Sequence, residues 1–277
     1  MISERMTATV SSAATGQRDV RHRWLVLGVF GGVTAAAWIY VVLQARQMPA
    51  GMASSAMAGG MQSMDQARVW TAGEFGVMLT MWAVMMVAMM LLSAVPMTLV
   101  YAAVARKAAR ESRPVAPTSM FVSGYLAIWA LFAAAATAAQ MGLDRLSLLS
   151  PAITSTSPLL GSALLIGAGV YELTPYKHAC LAHCRAPAHF IAQHWKGGAT
   201  GAFRMGLALG AYCLGCCWIL MGLLFVGGVM NLLWIAAIAA FILFEKTVSF
   251  GQTGGRVVGA VMILVGLVSM VGLVSLE

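Results

Sequence analysis

Residues 75–104 read FGVMLTMWAVMMVAMMLLSAVPMTLVYAAV, without a single Asp, Glu, Lys or Arg. A membrane-crossing helix needs roughly 20 mainly apolar residues, and this run exceeds that. It lacks the apolar–polar alternation of a barrel strand, so its backbone must satisfy itself as a helix. Further apolar runs occupy 24–43, 118–140, 158–173, 203–227, 229–246 and 257–276. The expected fold is all-α: a polytopic transmembrane helical bundle of about seven spans. The fourth run is short and ends near Pro175, so six spans, with the fourth kinked or re-entrant, is the alternative.

Composition agrees. The 277-residue chain is 60% hydrophobic and 9% charged, with a mean hydropathy of +0.84. Soluble domains carry about 25% charged residues. The net charge of +8 follows from topology. With the N-terminus inside, all but Arg46, Arg68 and Arg145 of the 17 basic residues fall on the inner side. That is the positive-inside pattern for an N-in, C-out membrane protein of seven spans. No long basic stripe calls for nucleic acid; the expected partners are the lipid bilayer, a metal ion, and a metallochaperone or membrane-complex subunit.

The chain divides into a polar cytoplasmic tail (1–23), a first anchor (24–43), a Met-rich external loop (44–73) and a helical core (74–277) with a cytoplasmic Cys/His loop at 174–203. The first apolar run continues past Ala35-Ala36-Ala37 through Val42 and Leu43, longer than a usual signal core, so it reads as an uncleaved anchor. The external loop carries Met48, Met52, Met57, Met61 and Met64 among small residues. Thioether sulfur is soft and suits Cu(I). In the second span Met81, Met85 and Met89 share one helical face, and Met78, Trp82, Met86 and Met90 form a neighbouring row. Such rows line a soft path or simply fill space. Pro96 is expected to kink this helix or end its regular part.

Residues 171–187 read YELTPYKHACLAHCRAP. If helix resumes after Pro175, Cys180 and Cys184 share a face at i, i+4, with His178 and His183 beside them. All four cannot meet one ion from an undistorted helix. Thiol and imidazole bind soft and borderline metals, and the reducing cytoplasm keeps the thiols free. Glu172 precedes Pro175, and a carboxylate within a membrane segment is a functional candidate. Glu245 lies at a similar depth near the inner end of the sixth run, and its structural alternative is a snorkelling ion pair with Lys177 or Lys246. His189 and His194 follow in the same loop.

The fifth span holds a second sulfur group. Cys213, Cys216 and Cys217 lie at i, i+3, i+4, and Met221 extends the face by a turn. Counted from Arg204 at 1.5 Å per residue, these thiols are expected about 13 to 20 Å into the span, near mid-bilayer. Gly206 and Gly210 form a GxxxG pair suited to close helix approach. The candidate metal residues are therefore Cys180, Cys184, His178, His183, Cys213, Cys216, Cys217, Met85, Met89, Met221 and Glu172.

The stretches 81–97, 171–187, 212–221 (YCLGCCWILM), 228–234 (GVMNLLW) and Glu245-Lys246 together resemble a bacterial family of integral membrane proteins described as predicted metal binders of unknown function. The likeness covers about residues 75–250. It implies metal binding at Cys180, Cys184 and the nearby histidines. The chain departs from that family's pattern at Leu92, where proline is usual, and at Glu172, where Gln is frequent.

The leading expectation is a protein that binds or moves a soft transition metal, Cu(I) foremost and zinc as alternative. No GxxxxGK[ST] motif supplies ATP binding. A second class is a redox or metalloenzyme-assembly subunit using its thiols, for which Cys213-Leu214-Gly215-Cys216 offers one CxxC. A third is a structural scaffold. No catalytic residues are assigned, and a non-enzyme is the favoured class.

Overall fold

The structure is a computed structural model that describes residue 21 and residues 23–46, 71–112, 114–146 and 158–274. The five loop methionines of 48–64 lie outside them. All regular structure among the described residues is helical. The helices are α1 (Arg23–Arg46), α2 (Ala72–Arg110), α3 (Thr118–Arg145), α4 (Pro158–Leu173), α5 (Pro175–Arg185), α6 (Pro187–His194), α7 (Gly198–Gly222), α8 (Leu224–Gly227), α9 (Leu232–Thr247) and α10 (Gly251–Val274).

Five of these are long and apolar enough to cross a membrane: α1, α2, α3, α7 continued through α8, and α10. The fourth and sixth expected spans are α4 and α9, each of 16 residues. That is short of the roughly 20 needed to cross alone. The expected count of seven therefore reduces to five full-length apolar helices and two short ones among the described residues.

Local sequence explains the boundaries. Thr71 and Glu74 form a capping box that starts α2, and Lys107 and Arg110 sit in its last turn, where cations complement the helix dipole. Pro96 lies inside α2, which runs on as one 39-residue helix, so it does not end the helix as it could have. Gly228, at φ 94°, makes the break before α9 at a backbone angle that an L side chain resists.

Helix contacts are made through small residues, as expected where lipid supplies little hydrophobic drive between helices. α3 crosses α7 at Gly124 and Gly206; a methyl on Gly206 would run into the Phe121 carbonyl, and one on Gly210 would lie 2.8 Å from Ile128 Cβ. The GxxxG expectation is thus realised as the α3–α7 seam. α4 and α10 pair similarly: a methyl on Gly266 would stand 2.6 Å from Ile166 Cγ1. α1 leans on α2, where the Trp38 indole donates to the Ala88 carbonyl at 3.1 Å.

The two α2 methionine rows are buried. Trp82 donates to Gln140 Oε1 at 2.8 Å, and the Gln140 amide approaches Met78 Sδ at 3.6 Å. The start of this face, at Met78 and Trp82, thus packs against Gln140 of α3.

Candidate metal centre

Helix does resume after Pro175. Thr174 is the N-cap, accepting from Lys177 N, and Pro175 stands in the first turn, where its missing N–H costs nothing. The chain then turns at Ala186 into α6. The expected loop is thus two short helices, and α5 lies along α7.

The face of α5 bearing Cys180 and Cys184 meets the cysteine face of α7. Cys180 Sγ sits over Gly215, the one position in the CLGCC run without a side chain; a methyl there would come within 2.9 Å of that sulfur. Cys184 lies beside Cys213 and Cys216. Cys216 Sγ and Cys217 Sγ each also reach the Cys213 carbonyl, at 3.0 and 2.9 Å. All five cysteines are free thiols. The two sulfur groups, separate in sequence, are one cluster in space.

Three polar side chains hold this cluster. Lys246, in the last turn of α9, donates to Cys213 Sγ at 2.8 Å and to Ser93 Oγ at 3.3 Å. Tyr125 Oη lies 3.2 Å from Cys213 Sγ and donates to the Met90 carbonyl at 3.0 Å. Tyr171 donates to the Gly215 carbonyl. Sequence reasoning missed all three. Lys246 followed a carboxylate and read as its ion-pair partner; the tyrosines carried no spacing signal.

The contact with Lys246 also sets the depth. The thiols lie level with the end of α9, not halfway along it. The first half of α7 runs beyond this level beside the start of α3: Gly198 N donates to the Pro114 carbonyl at 3.2 Å.

The other candidates fall elsewhere. Glu172 and Glu245 both accept from Lys177, the latter at 2.7 and 2.8 Å. All three are at most 3% exposed, so this is a buried triad and not a snorkelling surface pair. Glu172 is accordingly directed to Lys177 and not to the thiols. His178 is on the opposite face of α5 from Cys180, two residues along, with Arg256 Nε 3.4 Å from its Nε2. Burial, then the Arg256 and Lys177 cations, hold this imidazole below its ordinary range. His183 stacks flat on Tyr212, centroids 4.1 Å apart, and its Nδ1 meets the Ala179 carbonyl at 2.9 Å. His189 is exposed, and His194 stacks on Phe190. Met85, Met89 and Met221 are buried in the core around the cluster.

Among the described residues, no group of three or more His, Cys, Asp or Glu is arranged to hold a metal ion. The residue types nevertheless suit a soft metal: buried and half-buried thiols, a lysine ammonium beside Cys213 and apolar surroundings.

An all-helical bundle with five helices long and apolar enough to cross a membrane among the described residues is consistent with the class of integral membrane proteins. The family described as PpoB2, copper chaperone, matches residues 79–269, and the chain belongs to that family. Membership supports a copper-related function. No curated protein and no solved structure matches the chain significantly.

Proposed function

We propose that the chain is an integral inner-membrane protein that holds Cu(I) as cargo, with Cys184, Cys213 and Cys216 as the sulfur ligands. The observation that carries this reading is the packing of the Cys180/Cys184 face of α5 onto the cysteine face of α7, with Cys180 Sγ over Gly215 and Cys184 beside both cysteines of the CxxC. Thiolate is the donor that selects Cu(I), and two or three thiolates satisfy it without a preformed tetrahedral cage. Cys180 over Gly215 provides the outermost sulfur and Cys217 the innermost.

Binding requires thiols to lose protons. Burial, then Cys216, pushes the Cys180 thiol up, so that sulfur is protonated until metal arrives. Lys246 supplies the positive charge that makes a buried thiolate affordable. Met85, Met89 and Met221, buried in the same core as Cys213, Cys216 and Cys217, offer further soft donors. The basic termini of α2 and α7 support an inner, cytoplasmic placement of the cluster.

The test is metal analysis of protein purified under reducing conditions after copper supply, with X-ray absorption to read oxidation state and ligation. Wild type is expected to carry Cu(I) bound by sulfur. Cys184→Ser with Cys216→Ser is expected to lose it. Equal copper in both proteins, or copper bound only by nitrogen and oxygen, would refute the assignment.

A further inference from the structure

We infer that Lys246 sets the charge accepted by the thiol cluster, making it a site for a monovalent soft cation and disfavouring a divalent one. This rests on the thiol site proposed above and concerns its specificity.

A lysine at a helix end ordinarily extends its ammonium toward water. Lys246 does the reverse: it is 9% exposed, and its ammonium turns inward to Cys213 Sγ at 2.8 Å and Ser93 Oγ at 3.3 Å. The two nearby carboxylates do not neutralise it directly, because Glu172 and Glu245 are both directed to Lys177. Of its two side-chain contacts, Ser93 and Cys213, only the thiol can supply a balancing negative charge.

A buried site is least costly when its charges cancel. With one fixed ammonium, cancellation requires one more thiolate than the charge on the bound ion. A monovalent ion needs two thiolates, which Cys184, Cys213 and Cys216 can provide. A divalent ion needs three and, for tetrahedral zinc, a fourth donor. Cys180 or Cys217 would have to complete such a set, since His183 lies against Tyr212 and the Ala179 carbonyl and His178 lies toward Arg256. A divalent ion would also bring a second positive charge beside the ammonium. Removing the Lys246 charge reverses the balance, since two thiolates then neutralise a divalent ion.

The experiment uses the full chain in detergent micelles and two air-stable probes, Ag(I) for the monovalent case and Cd(II) for the divalent one, in direct competition. Wild type is expected to retain Ag(I) against excess Cd(II). Lys246→Met is expected to shift the Ag(I)/Cd(II) affinity ratio toward Cd(II) by about tenfold or more, and Lys246→Arg to keep the wild-type ratio. Lys246→Gln, which keeps a donor for Cys213 without the charge, serves if Lys246→Met does not fold. An unchanged ratio in the uncharged variants, with both ions weakened alike, would show Lys246 to be structural and overturn the inference while leaving the thiol site intact. Failure of wild type to bind Ag(I) would overturn the thiol site and this inference with it.

Discussion

Cys180 of α5 rests its sulfur against Gly215 of α7, where an added methyl would stand 2.9 Å away. One absent side chain in the CLGCC run thus lets a short polar helix lie close enough for its thiols to join those of a membrane helix. Gly215→Ala is expected to lift α5 from α7. Maleimide labelling of Cys180 and Cys184 should then accelerate and retained copper should fall, read together by mass spectrometry and metal analysis. Labelling at the wild-type rate would show that docking does not depend on this gap.

Metal removal should change the same thiols. Cys213, Cys216 and Cys217 are buried, while Cys180 and Cys184 are half-buried. In the folded, copper-free protein, labelling is expected at Cys180 and Cys184 alone, and at all five after denaturation. Copper loading should protect Cys184, and a Cu(I) chelator should restore its reactivity. Persistent labelling of Cys184 in the copper-loaded protein would argue against its being a ligand.

The Glu172–Lys177–Glu245 triad predicts a large and one-sided stability effect. Lys177→Met leaves two carboxylates buried without their cation. Breaking a buried pair from one side costs about 3–5 kcal/mol, so the unfolding midpoint in detergent should drop sharply. Adding Glu172→Gln and Glu245→Gln removes the stranded charge, and most of the loss should return. A triple variant no more stable than Lys177→Met would point to lost packing as the cause.

The α3–α7 seam offers a paired comparison. Gly206→Ala drives a methyl into the Phe121 carbonyl, an overpacking that costs typically 1–3 kcal/mol. Gly142→Ala, in α3 itself, meets nothing within 4 Å and should be neutral or slightly stabilising through better helix propensity. Equal thermal shifts for the two would contradict the crossing described.

The all-helical class, the long apolar helices and the close approach at Gly206 and Gly210 were legible from the chain alone, whereas the segment expected as a loop at 174–203 holds two short helices. The legible features depend on local patterning: apolar length and small residues four apart. The two cysteine groups were legible too, because i, i+3 and i+4 spacing puts residues on one face of whatever helix carries them. Which faces meet was not written there. That Cys184 reaches Cys213 and Cys216, that Lys246 turns inward to a sulfur while Lys177 takes both carboxylates, and that Tyr125 joins the cluster follow from how α5 and α9 settle against α7. Helical periodicity specifies a face, but the partner of a face is chosen by close packing between distant segments. For a buried lysine beside a carboxylate and a thiol, only that packing decides which one it serves.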